Sequence, residues 1–264
     1  MSERADVALA ARGLARSRSE AAQLIRSGAV LADGRPVTRA SHRVLPTTVL
    51  TLAGDGPRYV SRAAHKLVSA LEAFPDVAVA GRRCLDAGAC TGGFTQVLLE
   101  GGAATVAAVD VGHGQLAAVL RDDDRVLVRE GLNVRALVPE DIGGAVQLVV
   151  SDLSFISLRL VVDALAGACA DGADLLLMVK PQFEVGKSAL PKSGVVTDPA
   201  ERRRAVESVL EAALSAGLAP CGLARSGLPG QDGNVEFFLH LRRTAAPAAT
   251  ELEDVPGHAA VDWA

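Results

Sequence analysis

The chain has 264 residues, 49% of them hydrophobic and 3% aromatic, with a formal net charge of −4. That length suits one large domain or a large and a small one, the ordinary charged fraction excludes a disordered chain, and no apolar run approaches the roughly 20 residues of a membrane-spanning helix. The charge is unevenly laid out: Met1 to Lys66 carry eleven Arg/Lys against five Asp/Glu, a balance of +6, and the remainder carries −10, an asymmetry that points to a nucleic-acid partner.

Residues 1–54 read as a small α+β module. ADVALAARGL predicts a short helix ending at Gly13, and Ser17 or Ser19 caps a second, SEAAQLIRSG, ending at Gly28. AVLADGRPV alternates about Asp33-Gly34, a hairpin signal, and VLPTTVLTLAG closes the module with a strand. Residues 55–60, which carry Gly56 and Pro57 and follow Gly54, read as a linker.

From Ser61 the pattern changes. SRAAHKLVSALEAF predicts an amphipathic helix, and strands follow near Arg83–Asp86, Thr105–Asp110, Val126–Arg129, Gln147–Asp152, Asp174–Lys180, Ala219–Ser226 and Val235–Arg242. Helices between them include Leu158–Cys169 and Pro199–Ala216. Such alternation predicts an α/β domain over 61–243: a mostly parallel, doubly wound sheet whose last strand, after SGLPGQDGN, is an antiparallel insertion. The stretch 244–264 has no periodicity and is expected to be a flexible tail.

The four cysteines, Cys84, Cys90, Cys169 and Cys221, show no C-x-x-C spacing, so neither a zinc site nor a redox pair is expected, and no metal site is evident. Cys84 and Cys169 lie in apolar runs and read as small core residues. MSERADVALA has no apolar signal-peptide core, so a cytoplasmic location is expected.

CLDAGACTGGFTQVLLEGGA is the most informative segment. A strand runs into Asp86, a glycine-rich turn follows, and a helix starts near Phe94 or Thr95. Glycines admit a ligand close to the backbone, and the helix start favours an anionic group such as a carboxylate. Asp110 ends the next strand, where an acidic residue binds ribose hydroxyls. The order Gly88-Ala-Cys-Thr-Gly92-Gly93 lacks the second glycine of a dinucleotide fingerprint, whereas Asp86-Ala-Gly88 supplies the acidic residue that methyltransferases pair with the methionyl ammonium. The expected cofactor is therefore S-adenosylmethionine on a Rossmann-like methyltransferase fold. The candidate contacts are Asp86, Gly88, Ala89, Cys90, Thr91, Gly92, Gly93, Phe94, Asp110, Val111, Asn133 and Asp152. Gly186-Lys187-Ser188 resembles the end of a phosphate-binding loop, but Pro181 stands where that pattern needs glycine.

Four charged residues fall where a substrate belongs, outside the carboxyl ends of the strands. Asp152 and Lys180 end strands, Glu236 starts the antiparallel one, and Lys66 lies on the helix before the sheet. Two lysines among two carboxylates suit methylation of a ribose hydroxyl, a poor nucleophile until its proton leaves. A neutral lysine is the required base, and lowering its pKa from ~10.4 to ~7 costs about 4.6 kcal/mol. A neighbouring cation and burial supply such a shift; the residues alone leave base and steering group undecided. Ser151-Asp152-Leu153-Ser154-Phe155 lacks the Asn/Asp-Pro-Pro-aromatic motif of amine methyltransferases and a catalytic cysteine, which favours an oxygen target.

SRAAHKL, DAGACTGGFT, AAVDVGHGQL, SDLSFISL, MVKPQFEVGK and GNVEFFLHL resemble the TlyA (haemolysin A) family, a branch of the FtsJ-like RNA 2′-O-methyltransferases. ARSRSEAAQLIRSGAVLADGRPVTRASHRV is similar to the RNA-binding domain first defined in a small-subunit ribosomal protein. The resemblance implies a catalytic tetrad on Lys66, Asp152, Lys180 and Glu236, S-adenosylmethionine as methyl donor, and a cytidine 2′-hydroxyl in ribosomal RNA of one or both subunits as target. Cys90 replaces a usual serine, and Ala63-Ala64 a usual Gly-Gly. Arg4, Arg16, Arg18 and Arg62 are the expected RNA contacts, since guanidinium forks suit phosphates and folded RNA. Phe155, beside Asp152, is expected to stack on an extruded base. Two rival readings remain: an RNA-binding assembly factor with an inactive methyltransferase domain, and a pore-forming haemolysin, which would need spanning helices or a closed barrel.

Overall fold

The computed structural model describes residues 2–26, 29–52, 59–186, 190–230, 232–244 and 251–264, and the chain divides into two units, Met1–Tyr59 and Val60–Ala264. Gly28, the linker residues Gly54, Gly56 and Pro57, and Lys187 and Ser188 of the phosphate-loop lookalike lie outside the described residues.

The first unit runs β1 (Glu3–Arg4), α1 (Ala5–Ala11), α2 (Arg18–Arg26), β2 (Val30–Ala32), β3 (Arg35–Pro36), β4 (Arg43–Val44) and β5 (Leu50–Leu52). Helix α1 closes at Gly13, whose φ of 72° no β-carbon obstructs. Of the two candidate caps for α2, Ser17 is used: its Oγ accepts the Glu20 N–H at 3.2 Å. Asp33 and Gly34 both hold positive φ, 49° and 77°, the twist a two-residue hairpin needs. The sheet runs β3-β2-β5, and the separate pair β1-β4 was not expected, because two-residue strands show no alternation. Ala8, Leu9, Ile25, Val30 and Val44 bury its core.

The second unit runs α3 (Ala64–Ala73), β6 (Arg83–Ala87), α4 (Gly93–Glu100), β7 (Thr105–Asp110), α5 (Ala118–Arg121), β8 (Val126–Glu130), β9 (Val146–Ser151), α6 (Val162–Gly167), β10 (Cys169–Val179), α7 (Pro181–Glu184), α8 (Pro199–Ser215), β11 (Leu218–Arg225) and β12 (Phe237–Arg243). Its seven strands form one sheet, ordered β11-β12-β10-β9-β6-β7-β8. All pairings are parallel except those of β12, which is antiparallel to both β10 and β11. The run Ala173–Val179 is buried throughout, as expected of a central strand covered on both faces. Each of its leucines contributes about 1.5–3 kcal/mol by leaving water.

This topology collects the carboxyl ends of β6, β7, β9 and β10 on one edge. Because Val179 pairs with Phe237, the residues just beyond them, Lys180 and Glu236, are brought to that same edge from opposite chain directions.

Three expectations need correction. The helix expected over Leu158–Cys169 is a 3₁₀ turn, Leu158–Leu160, followed by the short α6. Cys169 opens β10 instead of ending a helix, because the strand pairs early with Val146 and then shifts register around Gly172, whose φ is 74°. Cys169 is accordingly only partly buried at the edge of the core. The tail is not free either: residues 251–264 lie on the second unit. Leu252 and Val255 join its core, the Leu223 N–H donates to the Pro256 carbonyl at 2.9 Å, and Trp263 packs on Phe237 with ring centroids 4.9 Å apart. Sparse but well-placed apolar residues dock this segment without any helical period.

Candidate active site

Four side chains from four elements converge at the carboxyl edge of the sheet. Lys66 projects from α3 into the interior, and its Nζ lies 2.5 Å from Glu236 Oε2, 3.9 Å from Asp152 Oδ2 and 3.7 Å from Met178 Sδ. Lys180, at the end of β10, places its Nζ 2.6 Å from Asp152 Oδ1 and 2.8 Å from Ser154 Oγ. The charges therefore alternate, Glu236–Lys66–Asp152–Lys180. Side-chain exposures are 2% for Glu236, 7% for Lys66, 16% for Asp152 and 8% for Lys180. An ion chain held this far from water persists only because each charge has an opposite neighbour. The open end lies at Asp152, Lys180 and the exposed Ser154.

Beside this chain, the turn after β6 carries positive φ at Gly88 (89°), Cys90 (47°) and Gly92 (96°). A β-carbon at Gly92 would stand 2.3 Å from Leu120 Cδ1 and 2.8 Å from Leu116 Cδ1, so only glycine fits there without displacement. Asp110 braces the turn: its Oδ2 accepts the Cys90 N–H at 2.9 Å and its Oδ1 the Gly112 N–H at 2.7 Å. Asp86 lies beneath the turn with no exposure. One of its oxygens accepts from Thr95 Oγ1 at 2.7 Å, and the other has no hydrogen-bond partner among the described residues. Burial pushes its carboxyl up to about 7, against the lowering effect of the Thr95 bond. A turn with glycine at positions 88, 92 and 93, above an orphaned carboxylate oxygen, fits a ligand with a cationic amino-acid end, as S-adenosylmethionine has. Ala89, Gly93 and Phe94 are buried in the turn and the start of α4, and Thr91 is half-buried. Val111 is 69% exposed beyond β7. Asn133, exposed beyond β8, caps a 3₁₀ turn by accepting the Arg135 N–H at 3.0 Å.

Phe155 is 92% exposed and holds φ of 63°, a conformation bulky residues rarely adopt. Its ring lies 5.4 Å from that of Phe183. An exposed aromatic three residues past Asp152 is thus held in a strained backbone conformation. The same loop is anchored by a residue sequence reasoning did not single out. Glu184 accepts from Ser157 Oγ at 2.5 Å and from the Leu158 N–H at 2.7 Å, with Arg159 at 3.5 Å. Ser154 was missed as well. An acid four residues past Lys180 and a serine two past Asp152 were the available signals, but nothing in the spacing tied either to a partner.

Three of the four arginines expected to meet RNA have a carboxylate neighbour. Arg4 and Arg18 share Asp6, at 2.9 and 3.3 Å, and Arg16 holds Glu20 at 2.8 Å. The Arg4 bond holds the Asp6 carboxyl down to about 2. These three belong to the first unit; Arg62, exposed, belongs to the second. Among the described residues no group of ligating side chains could hold a metal ion, and no helix is long and apolar enough to cross a membrane.

Comparison with known proteins matches the FtsJ-like methyltransferase family over residues 59–243 and the S4 domain over residues 3–50. The chain is 56% identical over 254 residues to a Mycobacterium tuberculosis protein named 16S/23S rRNA (cytidine-2′-O)-methyltransferase TlyA, covering 95% of this chain and 94% of that one. It is 36% identical over 183 residues to a Campylobacter jejuni protein named 23S rRNA (cytidine-2′-O)-methyltransferase TlyA, covering 69% and 70%. A solved structure from Streptococcus thermophilus, described as a hemolysin, superposes with a TM-score of 0.74 at 38% identity, covering 93% of this chain and 90% of that one.

Proposed function

The chain belongs to the FtsJ-like methyltransferase family, and on that premise we propose that it transfers a methyl group from S-adenosylmethionine to the ribose 2′-hydroxyl of a cytidine in ribosomal RNA, of the small subunit, the large subunit or both. The observation that carries this reading is the alternating chain Glu236–Lys66–Asp152–Lys180 at the sheet edge, beside the glycine turn.

Bound S-adenosylmethionine supplies an electrophilic methyl group on a sulfonium. The glycine turn, Asp86, Asp110, Val111 and Asn133 would hold it. Lys180 is the lysine nearest the open end, and in its neutral form it would take the proton of the substrate hydroxyl as the methyl group passes from sulfur to that oxygen, the electron pair of the broken S–CH3 bond staying on sulfur. Lys66, fixed by Glu236, is the spectator cation that offsets the carboxylates. Asp152 orients the Lys180 Nζ, and Ser154 fixes its second direction. Aligning oxygen, methyl and sulfur supplies much of the acceleration. Phe155 stacks on the freed base. The S4 unit brings the RNA, through the exposed faces of Arg4, Arg16 and Arg18, with Arg62 contributing from the second unit.

The reading is tested on ribosomal RNA from cells with and without the gene. A 2′-O-methyl group blocks the hydroxyl that attacks the adjacent phosphodiester, so alkali leaves a protected dinucleotide. A protected dinucleotide beginning with cytidine, seen only where the gene is present, supports the proposal; identical digests overturn it.

A further inference from the structure

Trp263 is the chain's single tryptophan, and it lies 27 residues beyond Glu236 in a segment the sheet does not need for its strand order. It nevertheless reaches the chain on both sides of that carboxylate. On the following side, its ring packs at 4.9 Å on Phe237, which is fully buried and directly follows Glu236. On the preceding side it works through Arg202 of α8, itself 6% exposed. Arg202 Nη1 donates to the Trp263 carbonyl at 2.7 Å, and its Nε donates to the Val196 carbonyl at 2.9 Å. The Val196 N–H donates to Asn234 Oδ1 at 2.9 Å, while Asn234 Nδ2 donates to the Gly194 carbonyl at 3.0 Å. Asn234 is 2% exposed and stands two residues before Glu236.

Glu236 has little slack between these anchors. Its Oε2 is 2.5 Å from Lys66, and a β-carbon on Gly230 would stand 2.7 Å from its Oε1. The segment is itself clipped in place, by Asp262 to Arg225 of β11 and by Glu253 to Arg203 of α8.

We infer that segment 251–264, through Trp263, is a positioning element for Glu236 and so for the Lys66 ammonium, making the geometry of the reaction centre depend on a docked segment outside the sheet. This rests on the catalytic reading of the tetrad given above. Chain reaching the strand start through stacking on one side and a relay of hydrogen bonds on the other fixes that start more narrowly than either contact alone, and displacements near 1 Å at a reaction centre lower rates by up to about a hundredfold.

The test uses the full chain with the Trp263→Ala substitution, and Trp263→Phe as the conservative partner. The sequence has four lysines, Lys66, Lys180, Lys187 and Lys192, so the side-chain ammonium signals of lysine-labelled protein are resolvable, with Lys66→Arg identifying that of Lys66. Expected for Trp263→Ala are loss or fast exchange of the Lys66 ammonium signal with that of Lys180 retained, and kcat lower by about tenfold to a hundredfold with S-adenosylmethionine affinity unchanged. Trp263→Phe restores both. If Trp263→Ala does not fold, Trp263→Leu carries the same comparison. An unchanged Lys66 signal and kcat overturns the inference. So does joint loss of both lysine signals and of S-adenosylmethionine binding, which marks the segment as general support. If the unsubstituted protein transfers no methyl group, the proposed function has failed, and the Lys66 signal alone still decides whether Trp263 positions Glu236.

Discussion

Lys66 and Glu236 are 170 positions apart in sequence and 2.5 Å apart in space, both nearly excluded from water. Removing one member of a buried ion pair strands the other charge at about 3–5 kcal/mol, whereas replacing both with apolar groups is often neutral. Lys66→Met is therefore expected to destabilise the second unit by about 3 kcal/mol. Lys66→Met combined with Glu236→Leu is expected to recover most of that loss, and neither protein to transfer methyl groups. Denaturant midpoints of the two variants check the first statement. A double variant less stable than the single one counts against a pair retained for chemistry over stability.

Gly92 is the position in the turn where a side chain is least tolerated. Gly92→Ala adds a methyl 2.3 Å from Leu120 Cδ1 at φ of 96°. The left-handed backbone alone costs about 1–2 kcal/mol for a residue with a β-carbon. The turn is expected to shift, lowering S-adenosylmethionine affinity by about tenfold for each 1.4 kcal/mol forfeited. Calorimetric titration reads it, and unaltered affinity would show that the cofactor does not touch this turn.

Asp86 makes stability pH-dependent in a direction opposite to an ion-paired carboxylate. Burial raises its folded-state value to about 7 from an unfolded value near 4. Between these the unfolded chain gives up the proton while the folded one keeps it, so stability falls as pH rises from about 4 to 7 and is level above. The full effect is about 4 kcal/mol at about 1.4 per unit. Asp86→Asn is expected to flatten this part of the profile, and urea midpoints across that range compare the two proteins. Bound S-adenosylmethionine, offering a cation to the orphaned oxygen, is expected to lower the transition pH.

Phe155 is expected to act on RNA alone. Base stacking on an aromatic ring is worth about 1–3 kcal/mol, so Phe155→Ala is expected to lower kcat/KM for ribosomal RNA by about fivefold to 150-fold. Because the native φ of 63° is strained for a bulky side chain, Phe155→Gly is expected to raise thermal stability while losing the same activity. Activity unchanged in both variants would return Phe155 to the role of a bystander.

Much of this was legible because the informative elements are periodic or punctuated. The strands β6 to β10 are apolar runs ending in a charge, and that charge is what the sheet edge displays: Asp86, Asp110, Asp152 and Lys180 were all read from strand ends. Glu236 followed once β12 was taken as antiparallel. What was not legible came from long-range closure. No local pattern says that Glu184 reaches Ser157, that Ser154 turns to Lys180, or that Trp263 folds back on Phe237. Each depends on a chain path set by other elements. The tail misled for a related reason: a segment that docks by four scattered side chains, Leu252, Val255, Val261 and Trp263, shows neither a 3.6- nor a two-residue period. The strand β10 was foreseen too short because its first residues pair before a glycine-made register shift, which the alternation rule does not cover.

The most direct test of the central claim is the fate of the methyl group. Purified protein, and its Lys180→Ala variant, are incubated with methyl-labelled S-adenosylmethionine and ribosomal subunits from cells lacking the enzyme, and the RNA is digested to nucleosides. The account predicts label in 2′-O-methylcytidine, with the variant slower by about 10²–10⁴-fold, the range for losing a positioned proton acceptor, and still binding S-adenosylmethionine. Label on a base, or equal transfer by the variant, would contradict the assignment of Glu236, Lys66, Asp152 and Lys180 as the centre that methylates a ribose hydroxyl.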